Sequence, residues 1–172
     1  MSRITLTSID KLSDEQKLQF DRFPANLTLA LLRTTGATSG YLSLGASFPR
    51  GLISDKDREM IILRVGALSR SQYERMQHLP LAQLAGWDDN AIAAIEEGHG
   101  PDARSRSILR FVDECVINVK VSSQTFAEAG TYFNDTQIAE LTLLIGHYMM
   151  TARFLETLEV PLDDAATSWK SM

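Results

Sequence analysis

Residues 57–78 read DREMIILRVGALSRSQYERMQH, and the fold turns on how this stretch is parsed. Its first half places Met60, Ile61, Ile62, Leu63, Val65, Ala67 and Leu68 around nearly the whole circumference of a helix. That pattern predicts a buried helix, not one lying on a surface. Ser54 and Asp57 stand ahead of it at capping-box spacing. After the short connection Ser69-Arg70-Ser71 a second helix begins and runs toward Gly86. Two helices joined so briefly must cross closely. Pro80 lies inside the second and predicts a kink or a new turn there.

Working outward, every other segment is also helical in pattern. The best partner for the buried helix is NDTQIAELTLLIGHYMMTARFLETLEV, whose Ile138, Leu141, Leu144, Ile145, Tyr148, Met149 and Leu155 recur at helical spacing before Pro161. DDNAIAAIEEG ends at Gly98, and PDARSRSILRFVDECVINVK carries a regular apolar face through Ile108, Phe111, Val112, Cys115, Val116 and Val119. SSQTFAEAG is a short helix capped by Ser122 or Ser123. Upstream, Ser13 caps SDEQKLQFDRF, Pro24 interrupts, and Leu27, Ala30 and Leu31 form a stripe. TSGYLSLGASF fits either a helix packed through small residues or an irregular crossover. No segment alternates with period two, and no repeat or heptad is present. The expectation is one all-α, single-domain helical bundle spanning 25–163, with an N-terminal arm or helix at 1–24 and a tail at 164–172.

Composition narrows the function. A net charge of −5 disfavours nucleic acid and anionic membrane surfaces as partners. The single cysteine, Cys115, allows no intrachain disulfide and no cysteine-only zinc site. No secretory signal and no membrane span is expected, and the reading is a cytoplasmic protein. There is no phosphate loop, nucleophile elbow or dinucleotide fingerprint.

The segment SQYERMQH, residues 71–78, supports two readings. In one, Ser71 and Glu74 form a capping box, Tyr73 is a half-buried core residue, and Glu74 with His78 is a wet i,i+4 pair. In the other, Glu74 and His78 share a helical face and tune each other's protonation. Glu59 favours the second. A carboxylate on a helix that is apolar almost all round is costly unless it is paired or faces a cavity. A Glu–Glu–His cluster could exchange protons without a cofactor. His99 reads as an exposed loop residue and His147 as a core histidine. No second histidine follows His78 at metal-ligand spacing, so no metal is expected.

From about Asn26 to Asp163 the chain resembles the carboxymuconolactone decarboxylase-like superfamily, which includes the alkyl hydroperoxidase D branch. The resemblance is carried by DREMIILRVGALSRSQYERMQHLPLAQLAGWDDNAIAAI and by RFVDECVINVKVSSQTFAEAGTYFNDTQIAELTLLIGHYMMTARFLETL. It implies a helical fold with a central hairpin, and homo-oligomers (dimers, trimers or hexamers) with sites near subunit interfaces. In the hydroperoxidase branch a Glu is followed by Cys-x-x-Cys-x-x-x-His. Glu59 matches that Glu and His78 that His, while Ser71 and Glu74 occupy the cysteine positions. Neither can perform thiol chemistry, so a dithiol peroxidase is not expected. The thiol-free branch is similar in its Tyr73-Glu74 and His78 pattern, with Arg75 replacing an aromatic as a cation at the site mouth or a solvated side chain.

These residues together predict a cofactor-independent acid/base enzyme, a decarboxylase/lyase or a hydrolase, for a small organic acid or lactone. In it His78 moves the proton, Glu74 orients His78, Glu59 holds or shares a second proton, and Tyr73 hydrogen-bonds a developing enolate oxygen. A peroxiredoxin-like antioxidant protein and a non-catalytic helical scaffold are the alternatives.

Overall fold

The computed structural model describes residues 2–167. Among these, the chain is all-α, with α1 (Asp14–Arg22), α2 (Asn26–Leu31), α3 (Ala37–Gly45), α4 (Asp55–Leu68), α5 (Gln72–Leu84), α6 (Asp89–Glu96), α7 (Ala103–Asn118), α8 (Ser123–Ala129) and α9 (Asp135–Leu158). The ambiguous TSGYLSLGASF stretch is therefore helical, as α3. Of the expected tail, residues 168–172 lie outside the described part.

α4 is the central rod. It packs on α5, α6, α7 and α9, which is why its apolar residues need no single face. Met60, Ile61, Ile62, Leu63 and Val65 are all buried. Its one arginine past the first turn, Arg64, ties two neighbours to it. The guanidinium donates to Asp113 Oδ1 on α7 at 2.6 Å and to the Glu96 carbonyl on α6 at 2.6 Å. A second apolar cluster gathers Phe23, Leu27, Ala30, Leu31, Leu42, Tyr73, Leu155 and Val160.

The α4–α5 hairpin closes through a Schellman motif. The Ser71 amide donates to the Gly66 carbonyl at 2.9 Å and the Arg70 amide to the Ala67 carbonyl at 3.1 Å. Arg70 takes the left-handed conformation (φ 56°) in which glycine is usual. One turn inside the hairpin, a Cβ built on Gly66 would lie 3.4 Å from Glu74 Cβ. Glu59 lies seven residues before Gly66, on the same face, so it meets α5 near His78.

Pro80 neither ends α5 nor starts a new element, since α5 runs as one helix from Gln72 to Leu84. Proline removes one amide from the ladder, and Pro80 lies on the exposed side, where water can serve the freed carbonyl. The two caps also differ from full boxes. Ser54 accepts from the Asp57 amide and Ser71 from the Glu74 amide, whereas the Ser71 amide is taken by Gly66 and not by the Glu74 carboxylate.

Gly66→Val is expected to force α4 and α5 apart and to lower the unfolding free energy by about 1–3 kcal/mol, the usual range for overpacking. Urea denaturation measures this, and an unchanged midpoint would contradict the close approach described.

Candidate functional site

The hairpin brings Glu59, Glu74 and His78 together. His78 Nδ1 lies 2.8 Å from Glu59 Oε2, and His78 Nε2 lies 3.7 Å from Glu74 Oε2. Glu59 and Glu74 are only 1% and 3% exposed. The Glu74 side chain turns inward along α5, so the wet surface pair is not what forms. The second oxygen of Glu59 accepts from Arg58 Nε at 3.1 Å, and Arg58 also pairs with Asp55. Glu59 thus fixes the ring by its Nδ1 edge and leaves Nε2 directed toward Glu74. The 3.7 Å gap is beyond hydrogen-bond reach, so Glu74 and His78 act on each other through charge.

Burial pushes the Glu74 carboxyl up to about 7. The nearby His78 pulls it down by less than burial raises it, and Glu156 on α9 adds a small push upward. A carboxyl tuned there carries a proton about half the time near neutral pH, the condition a general acid/base needs.

Glu74 and His78 face a cavity of about 240 Å³ at the seam between the two apolar clusters, with Glu59 behind His78 and off the wall. Tyr41 from α3 and His147, Tyr148 and Thr151 from α9 also lie on its wall. The Tyr148 ring stands edge-on to His78, with 5.0 Å between centroids. Tyr41 hydrogen-bonds Thr151 Oγ1 at 2.5 Å, and that hydroxyl donates to the His147 carbonyl at 2.8 Å. Burial pushes both phenols well above the usual range.

Tyr73 lines the same cavity, but its hydroxyl is engaged away from Glu74 and His78. Its hydroxyl donates to Asp163 Oδ2 and accepts from the Leu27 amide at 3.0 Å. Asp163 also accepts from Gln77 Nε2 at 2.9 Å and from the Asn26 amide at 2.8 Å, and the Thr167 amide reaches Gln77 Oε1 at 2.7 Å. Tyr73 therefore clasps the segment after α9, and Thr167 of that segment lines the cavity. Arg75 pairs with Glu96 on α6 at 2.7 Å, away from the site mouth; the cation lining the cavity is Arg58.

His99 is exposed, as its flanking glycines suggest. Cys115 packs half-buried against the α4 cluster, and burial pushes its thiol up, away from the thiolate. Among the described residues no group of three or more His, Cys, Asp or Glu side chains is arranged to hold a metal ion.

The chain has the alkylhydroperoxidase D-like fold. It superposes on an uncharacterized peroxidase-related protein with an alkylhydroperoxidase AhpD core from Ralstonia eutropha JMP134, with a TM-score of 0.81 at 16% identity over 95% of this chain and 93% of that one. An uncharacterized peroxidase-related protein from Silicibacter sp. TM1040 gives 0.79 at 19% identity over 95% and 92%. A cysteine-to-alanine variant of the debrominase Bmp8, in complex with 2,3,4-tribromopyrrole, gives 0.77 at 12% identity over 95% of each chain. No protein-family model and no curated protein matches the chain.

The raised Glu74 makes stability depend on pH. The fold favours the protonated carboxyl, so this contribution is complete below about pH 4.5 and is lost as pH rises through about 7. Glu74→Gln removes the loss. The variant should match the parent near pH 5 and exceed it near pH 8 by roughly 3 kcal/mol. Urea denaturation across pH tests this, and a difference independent of pH would contradict it.

Proposed function

We propose that the protein is a cofactor-independent acid/base enzyme acting on a small organic acid or lactone. The observation that carries this reading is Glu74. It is a carboxyl almost out of water, tuned to about 7, facing an imidazole that a second buried carboxylate holds from behind. A structural role would be served as well by glutamine at either position, without the cost of burying charge.

Decarboxylation fits this kit when the substrate carries its own electron sink, as an unsaturated lactone acid does. The electron pair of the breaking carbon–carboxylate bond passes into the conjugated carbonyl, carbon dioxide leaves, and an enolate forms. A proton from Glu74 or His78 then returns to carbon, and solvent restores it to the pair. Arg58, paired with Asp55 and Glu59, lines the cavity as its cation. The debrominase's bound ligand is a small five-membered ring, the size of molecule that suits a cavity of about 240 Å³. Thiol peroxidase chemistry draws no support here, because Cys115 is away from the cavity wall and its thiol is pushed up by burial.

The test is incubation of the purified protein with carboxylated muconolactones in deuterated buffer, following carbon dioxide release and deuterium incorporation. Turnover is expected, falling by roughly 10²–10⁴ in Glu74→Gln and His78→Ala, the range for loss of a general acid/base. Absence of both turnover and exchange across that substrate class would sink the proposal. Turnover unaffected by Glu59→Gln would remove Glu59 from it.

A further inference from the structure

His147 is a buried imidazole without an evident structural task. It is 5% exposed, and its Nδ1 has no hydrogen-bond partner among the described residues. Leaving such a group unpaired in the interior carries a desolvation cost that nothing offsets. Core packing alone would be better served by phenylalanine. Its ring is instead framed by aromatics: Tyr41 at 4.7 Å, Phe48 at 5.3 Å and the edge of Tyr148 at 5.3 Å between centroids.

The position of this ring matters. His147 lines the same cavity as Glu74 and His78. Tyr148 touches both imidazoles, roughly perpendicular to each, with interplanar angles of 84° to His78 and 85° to His147. The cavity wall therefore carries, besides Glu74 and His78, a second imidazole in contact with the same Tyr148 ring. Burial, with a smaller push from His78, lowers His147 to about 4, so it is neutral wherever the enzyme works. A neutral imidazole presents one donor and one acceptor and no charge. It suits an uncharged carbonyl, ring oxygen or hydroxyl better than a carboxylate.

We propose that His147 is a specificity-determining residue that hydrogen-bonds an uncharged oxygen of a compact cyclic substrate while Glu74 and His78 act on the carbon framework nearby. The substrate class is then a small ring bearing both an acidic group and a carbonyl or ring oxygen, with the lactone acids as its simplest members. The inference rests on the acid/base reading for the choice of ligand, but its test is binding alone.

Two inert probes separate the claims. 5-Oxotetrahydrofuran-2-carboxylate carries the lactone carbonyl without a conjugated sink, and cyclopentanecarboxylate has the same ring size without ring oxygen or carbonyl. Calorimetric titration should show the parent binding the lactone acid about 10-fold more tightly, the value of one buried hydrogen bond. His147→Phe, which keeps the aromatic packing, should bind both alike, and His147→Gln should recover most of the preference. The ¹⁵N resonances of the His147 ring should shift on saturation with the lactone acid and stay still with the cyclopentane. Lack of lactone-acid binding by the parent, equal affinity for the two probes, or a preference that survives in His147→Phe would each overturn the proposal. Should His147→Phe not fold, the ¹⁵N shifts and the glutamine variant still decide. Binding that behaves as described, with no turnover of carboxylated muconolactones, would leave His147 in its role and fault only the proposed chemistry.

Discussion

Two carboxyl groups are held almost entirely out of water against one half-buried imidazole on the arms of a single helical hairpin, and the rest of the molecule is arranged around that fact. The hairpin is tight because Arg70 accepts a left-handed conformation and because Gly66 leaves room for α5 to lie against α4. Glu59, two turns back from Gly66 on the same face, then meets the Nδ1 edge of His78 at 2.8 Å. Glu74, one turn before His78, is carried inward by the same geometry. Burial disfavours its charge, and the nearby ring compensates only in part, so the carboxyl is left near neutrality.

The cavity follows from how the apolar residues are divided. One cluster surrounds α4, and the other gathers the N-terminal helices with Tyr73 and the end of α9. Where they meet, leucines share the wall with polar and aromatic side chains from α3, α4, α5 and α9. Asp163, gripped by Tyr73, Gln77 and Asn26, keeps the chain after α9 against this seam. Two buried groups there pull stability in opposite directions with pH. Glu74 destabilises the fold as pH rises from about 4.5 through about 7. His147, held neutral with its folded value near 4, contributes stability that is present above about pH 6.5 and is lost as pH falls through about 4.

Much of this was readable in the residues, and the gaps have physical causes. The all-round apolar pattern of residues 60–68 located the buried rod, and a lone carboxylate on it pointed to Glu59 as a paired or cavity-facing group. The i,i+4 spacing put Glu74 beside His78. What spacing cannot specify is which way a side chain turns at a helix start, so Glu74 could equally have capped its own helix. Tyr73 lines the cavity as its place beside Glu74 allows, but spacing cannot show that its hydroxyl is taken by Asp163 and the Leu27 amide. Arg75, open in the sequence as a site-mouth cation or a solvated side chain, reaches Glu96, while Arg58 lines the cavity. Pro80 left open a kink or a new turn, because sequence does not tell whether a freed carbonyl meets water, and α5 continues through it. His147 looked like a satisfied core residue because the absence of a partner is a three-dimensional fact.

The central claim is that Glu74 shares its proton with the site at working pH, and the most direct measurement is its own titration. With glutamate ¹³C-labelled at the side-chain carboxyl and the Glu74 resonance assigned by the Glu74→Gln variant, carbon NMR across pH follows that group alone. The account predicts a midpoint near 7, moved upward when His78 is replaced by alanine, since the ring pulls the value down. A midpoint in the ordinary glutamate range, near 4.3, and indifferent to His78, would contradict it.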